Sequence, residues 1–202
     1  MSITLSPVTL EGSRVLLRPM SREDVPALWE AGRDPDLWRW TWSAPDSETA
    51  MGEYVEEALA LVEAGRGLPF VTCDAATGRV VGSTRFGNAE PSHRRVEIGW
   101  TWIAAPWRRT PLNTEAKFLM LRHAFESWGC LRVELKTDAL NERSRHAMLR
   151  IGAQPEGIFR KHGVTPSGRV RHTAWYSITD DDWPGVRSRL EEMLARPWEA
   201  GR

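Results

Sequence analysis

The segment Trp107-Arg108-Arg109-Thr110-Pro111-Leu112-Asn113-Thr114-Glu115-Ala116-Lys117 joins an apolar, β-prone run, Val96 to Ala104, to a long amphipathic helix predicted from Pro111 to Trp128. A strand that enters a helix through a short basic turn makes an anion site. The first helical turn leaves backbone N–H groups without intrahelical partners, and the macrodipole adds about half a positive charge there. Thr110 suits the N-cap and Pro111 the first helical position, so the amides of Leu112, Asn113 and Thr114 are expected to point outward toward a phosphate. Arg108 and Arg109 stand beside them.

Working upstream, Val15-Leu16-Leu17 forms a first strand, and Ser21 with Asp24 starts a helix that carries Val25, Leu28 and Trp29 on one stripe. A second helix runs from Ser47 to Ala64 and stops at Gly65. Leu68 to Cys73, Arg79 to Phe86 and Arg95 to Ile103 follow as an antiparallel meander with Ala76-Thr77-Gly78 as a turn. Strict alternation along the last of these puts Glu97, Gly99 and Thr101 on one face, with Val96, Ile98 and Trp100 on the other. The helix from Pro111 is apolar around most of its circumference, with Glu115, Arg122 and Glu126 on a narrow polar face, so it packs on a sheet. Beyond it come a strand (Arg132 to Thr137), a helix (Asn141 to Ile151, closed by Gly152), two strands (Ile158-Phe159 and Val170 to Ile178) and a last helix (Asp180 to Leu194). The order βααβββαβαββα predicts an α/β (α+β) fold, a mixed, mostly antiparallel sheet flanked by helices, in one domain over residues 1–202.

At 202 residues, with 41% hydrophobic and 27% charged side chains, the chain can bury a full core. Its net charge is zero, which argues against nucleic acid as a partner. The charge is uneven, however: 10 Lys/Arg face 15 Asp/Glu in residues 1–101, and 17 face 12 in residues 102–202. That C-terminal surplus suits a polyanionic ligand. Cys73 and Cys130 show neither pairing nor metal spacing, so a reducing cytoplasm and no metal are expected. No basic segment precedes an apolar run at the N-terminus, and no run reaches the ~18 apolar residues of a membrane span. Eleven tryptophans are the one oddity of composition, with Trp38, Trp40 and Trp42 alternating after the first helix and Trp100 and Trp102 on the fourth strand. Such stripes fill core or line a groove.

The run from Arg108 to Asn113 resembles the acyl-CoA pyrophosphate loop of the GNAT (Gcn5-related) N-acetyltransferases, Arg/Gln-x-x-Gly-x-Gly/Ala at a helix start. Arg108 matches the first position, Pro111 and Asn113 replace the glycines, and Thr114-Glu115-Ala116 continues as in the ribosomal-protein N-acetyltransferase branch. Val133 to Asp138, Asn141-Glu142-Arg143-Ser144 and Leu149 to Ala153 are similar to that family's next strand, its Asn-x-x-Ser helix start and its terminal glycine. Leu16 to Pro19, Glu23-Asp24, Gly157 to Arg160, Trp175 to Ser177 and Asp182-Trp183 extend the likeness over nearly the whole chain.

The resemblance implies direct transfer of an acetyl group from acetyl-CoA to a primary amine, either a protein N-terminus or a small-molecule amine. It assigns phosphate binding to Arg108, Arg109 and the amides of Leu112, Asn113 and Thr114, and carbonyl polarisation to the backbone amide around Ile103-Ala104. It places Asn141 along the pantetheine or pyrophosphate path, and Ser144 as the acid for the leaving thiolate. The candidate base is Glu97, either catalytic or merely on a solvated face, with the loop residue His162 second and a water chain third. Trp38, Trp40 and Trp42 would line the acceptor groove. A non-catalytic acyl-CoA-binding module is the rival reading, prompted by the two missing glycines. Monomer and homodimer are both open.

Overall fold

The computed structural model describes residues 3–198, and the pairing of its strands follows the meander that the turn residues dictate. A two-residue strand absent from the sequence reading, β1 (Leu10–Glu11), opens the sheet beside β2 (Val15–Pro19). Then come α1 (Val25–Gly32), α2 (Glu48–Glu63), β3 (Leu68–Asp74), β4 (Val80–Glu90) and β5 (Arg95–Ile103). The second half holds α3 (Leu112–Arg122), β6 (Arg132–Asp138), α4 (Glu142–Ile151), β7 (Gln154–Val164), β8 (Val170–Thr179) and α5 (Trp183–Ala195). The eight strands lie in the order β1-β2-β3-β4-β5-β6-β8-β7, antiparallel throughout except where β5 meets β6.

Two apolar layers sandwich this sheet. On one side α3 buries Leu112, Ala116, Leu119 and Met120 against Val15, Leu17, Phe70, Phe86, Val96 and Ile98. On the other, Leu28 of α1 and Met51, Tyr54, Val55 and Ala58 of α2 cover Val71, Cys73 and Trp102. Caps fix the helices where the sequence signals them. Ser47 accepts the Ala50 amide at the start of α2, Ser21 and Asp24 form a capping box ahead of α1, and Gly152 (φ +103°) closes α4.

Four local expectations are corrected. Glu115 is not on a solvated face: it is 6% exposed, and its carboxylate accepts the Ser13, Arg14 and Val15 amides at 3.1, 2.6 and 2.9 Å and the Ser13 hydroxyl at 2.8 Å. Tying α3 to the entry of β2 thus satisfies a buried charge that periodicity alone assigns to water. Trp38, Trp40 and Trp42 lie in a turn after the short 3₁₀ segment Pro35–Leu37, not on a strand. The helical N-cap of α3 is Pro111, with Thr110 one residue outside. The last helix starts at Trp183 rather than Asp180, because Asp182 turns back to accept the Thr179 amide and hydroxyl.

The fourth strand departs most from regular alternation. Trp100 has φ +50°, and Ser83 pairs with Trp102 while Arg85 pairs with Gly99, so β5 carries one extra residue there. This bulge moves Thr101 to the α3 side, where its hydroxyl meets Thr84 and Lys117, and puts Trp100 on the side of Glu97 and Lys136. A side chain at residue 87 would come within 2.3 Å of the Trp100 ring, so Gly87 makes the room.

Candidate active site

β5 and β6 pair only through Arg95–Glu97 and Arg132–Glu134, although β5 continues to Ile103 and β6 to Asp138. Past Glu97 the two parallel strands part, and the bulge at Trp100, which sharpens twist, stands where they separate. The gap opens a cavity of about 930 Å³ lined by both strand edges, the first turns of α3 and α4, and the loop from Leu37 to Ser43. The Ala104 amide is spent on Val81 (2.8 Å), which corrects the sequence assignment of that group. In an antiparallel ladder the preceding residue then turns its N–H and C=O away from β4, so the Ile103 amide faces the gap.

At one end lies the first turn of α3. Thr110 Oγ1 takes the Leu112 amide at 3.3 Å, a correction to the three open amides expected, and the Asn113 and Thr114 amides have no hydrogen bond among the described residues. Asn113 Oδ1 is buried without a partner. Unpaired groups of this kind are costly unless a ligand completes them, so the lining fits a polar, phosphate-bearing group. Arg108 is not a free arm: its Nε donates to Ile103 O at 3.0 Å and its Nη2 to Asp34 at 3.3 Å, so the loop is pinned to β5 and to the α1–α2 connection. Arg109 holds φ +62° beside it and also lines the cavity.

Three basic residues of α4 to which the sequence reading gave no role at the site join this end. Arg143, His146 and Arg150 line the cavity, and Arg150 donates to Thr114 Oγ1 at 3.1 Å. Their spacing of three and four residues puts them on one helical face, a signal the sequence contained. Asn141 caps the same helix by accepting the Ser144 amide at 3.1 Å. Ser144 and Asn141 both line the cavity, and the Ser144 hydroxyl has no hydrogen bond among the described residues.

Glu97 sits where the strands part. It is 2% exposed, which rules out the solvated face. Its Oε2 accepts from Asn88 Nδ2 at 2.7 Å and forms an ion pair with Lys136 Nζ at 2.7 Å, while Oε1 lies against Gly99 with no hydrogen bond among the described residues. His162 lies outside the cavity lining, exposed, with Nδ1 at 2.9 Å from Thr173 Oγ1. Desolvation first, then Lys136 and Arg171, hold its pKa below the usual histidine value.

The three tryptophans divide. Trp38 belongs to the core: it is 7% exposed, donates to Gly32 O at 2.8 Å, and packs on Tyr54 and Trp102 at ring distances of 5.8 and 5.2 Å. Trp42 is 37% exposed, with the Arg171 guanidinium 4.2 Å from its ring centroid. Trp40 lies between, its carbonyl accepting from Arg171 at 3.1 Å. All three border the cavity. Lys117, Lys136 and Arg171 border it too, and composition gave no sign of them. Among the described residues no cluster of His, Cys, Asp or Glu could hold a metal ion, and no helix is long and apolar enough to cross a membrane.

This arrangement has counterparts. The crystal structure of a GCN5-related N-acetyltransferase from Brucella melitensis superposes with a TM-score of 0.88 at 29% identity, over 96% of this chain and 88% of that one. Mycobacterium smegmatis RimJ, solved in complex with CoA-disulfide, shares the fold at 24% identity and a TM-score of 0.81, over 96% and 98% of the two chains. YoaA of Bacillus subtilis, named an uncharacterized N-acetyltransferase, is 26% identical over 171 residues, 84% of this chain and 95% of its own. Residues 14–154 match the acetyltransferase (GNAT) domain, and with the parted strands and the open helix start already in place, the chain belongs to the GNAT family of N-acetyltransferases.

Proposed function

We propose that the protein moves an acetyl group from acetyl-CoA to the primary amine of a protein N-terminus, in a reducing cytoplasm and within one domain. The observation that carries this reading is the gap between β5 and β6, with the Ile103 amide at its edge and the Asn113 and Thr114 amides open at its mouth. Acetyl-CoA, when bound, supplies an activated thioester carbonyl. Asn113, Thr114, Arg109 and Arg150 hold its phosphates, Arg108 braces the loop, and Asn141 positions the start of α4 beside the pantetheine arm. The Ile103 amide donates to the thioester oxygen, where negative charge grows as the amine attacks.

As the C–N bond forms and the C–S bond breaks, Glu97 Oε1 takes the proton lost by nitrogen and Ser144 Oγ gives one to the departing sulfur; proton exchange with solvent then returns Glu97 to the carboxylate and Ser144 to the hydroxyl. Lys136 and Asn88 keep Oε2 occupied, so the free oxygen is the one aimed along the strand edge beside Gly99. A small-molecule amine is the second reading, favoured by the tryptophan loop that encloses the acceptor end of the cavity. Release of CoA thiol with an N-terminal peptide library and an amine library, run side by side, separates the two. Heat stabilisation by acetyl-CoA without turnover of either library would leave only a binding module.

A further inference from the structure

Beside Glu97 the charges do not balance. Lys136 pairs with Glu97 at 2.7 Å, and Arg169 with the fully buried Asp138, so both carboxylates already have a cation. Arg171 and Arg85 remain. They are 3% and 2% exposed, and neither has an Asp or Glu within ion-pair distance among the described residues. Arg171 uses Nε on Thr173 Oγ1 at 3.1 Å and Nη1 on the Trp40 carbonyl at 3.1 Å, and it borders the cavity between Trp42 and Lys136. Arg85 gives Nη2 to the Tyr54 carbonyl at 3.3 Å, and its Nε is buried without a partner.

A second shortage lies behind Lys136, outside the cavity lining. The Trp175 indole N–H is also buried and unpaired, and Lys136 Nζ stands 4.9 Å from that ring. At the cavity wall itself, Arg171 therefore stands beside the paired Lys136 as a cation without an ion-pair partner among the described residues. Holding a guanidinium out of water with only neutral partners is costly, and truncating a stem that merely supports a loop does not require that charge. Desolvation pulls the Arg171 pKa below its ordinary value, and the nearby charges of Asp138 and Glu97 do not fully offset it.

We propose that Arg171 is a carboxylate subsite, and that the acceptor carries an anionic carboxylate close to the amine that is acetylated. This rests on the transferase reading and names its substrate class. The guanidinium stacked on Trp42 presents a planar fork whose Nη2 has no hydrogen bond among the described residues, suited to one or two oxygens of a carboxylate. The carboxylate comes from one of two sources, the free α-carboxylate of an amino acid or an acidic side chain just behind a peptide N-terminus.

Acetylated products test the subsite without depending on turnover or on amine basicity. Dissociation constants are measured by calorimetry, with and without CoA, for N-acetylphenylalanine against its carboxamide and for N-acetyl-Ser-Asp-Ala-amide against N-acetyl-Ser-Asn-Ala-amide. The wild type is expected to bind the carboxylate of at least one pair about ten- to a hundredfold more tightly, and the pair that responds identifies the source. Arg171→Gln should erase the preference, and Arg171→Lys should restore part of it. Equal affinities within both pairs for the wild type overturn the proposal whatever the variants do. A preference that survives in folded Arg171→Gln removes Arg171 from it. A carboxylate preference without acetyl transfer to any amine would retain the subsite and refute the transferase reading instead.

Discussion

Lys117 places an amino group in the buried lining of the cavity between β5 and β6, and replacing it with methionine should stabilise the protein. The side chain is 8% exposed, and its Nζ meets only hydroxyls, Thr101 Oγ1 at 2.7 Å and Thr84 Oγ1 at 3.4 Å. Burial lowers its pKa from 10.5 to about 7. At about 1.4 kcal/mol per pKa unit, holding the charged form inside costs about 4–5 kcal/mol, fully felt below pH 7. Between pH 7 and 10.5 the unfolded chain binds more protons than the folded one, so this group makes stability rise with pH across that window. Methionine keeps the stem and removes the penalty, but forfeits hydrogen bonds worth about 1–2 kcal/mol. Lys117→Met should then gain about 3 kcal/mol at pH 6–7, with the advantage shrinking steadily toward pH 10. Urea unfolding of both proteins at half-unit steps of pH measures it. A stability difference that stays constant with pH, or a loss at pH 6, would refute the assignment of a buried, unpaired ammonium.

Ser144→Ala should lower kcat by more than it raises the acetyl-CoA KM, because protonating the departing sulfur matters only in the transition state; steady-state kinetics with both substrates varied decides. Arg108→Ala should both weaken acetyl-CoA binding by about 1.5–3 kcal/mol and lower the melting temperature, since the side chain ties the loop to Ile103 and Asp34; calorimetry and a melting curve read the two effects. Trp38→Ala should cost about 3–5 kcal/mol of stability and harm both substrates alike, as expected for core. Trp42→Ala, at a ring 37% exposed, should raise the acceptor KM, leave acetyl-CoA affinity intact and cost far less stability; a uniform loss in both substrates would end its role at the acceptor.

The elements that local chemistry specifies were legible, as were Glu97, Asn141 and Ser144 at the candidate site, but the arrangement that gathers them was not, for a physical reason. Ser47, Asn141 and Gly152 cap or close their helices by contacts three or four residues away, so sequence spacing contains them. The parting of β5 from β6 is different. It depends on which strand ends up beside which, and on one surplus residue at Trp100 that only shows once Ser83 and Gly99 have found their partners. The alternation rule, applied without that residue, put Thr101 beside Glu97 and Trp100 across from it, whereas the bulge reverses both. Glu115 fails in the same way, and Lys117 was given no place at all. Helical periodicity assigns a charge to water unless a distant group claims it, and the claimants, the Ser13-Arg14-Val15 amides and the Thr84 and Thr101 hydroxyls, lie on other elements. Glu97 and Lys136 likewise meet only because β5 lies beside β6, and Arg171 of β8 meets the Trp42 ring only once the α1–α2 connection folds over the sheet. The candidate site is a property of strand adjacency, which is why Lys136 and Arg171 emerged only with the fold.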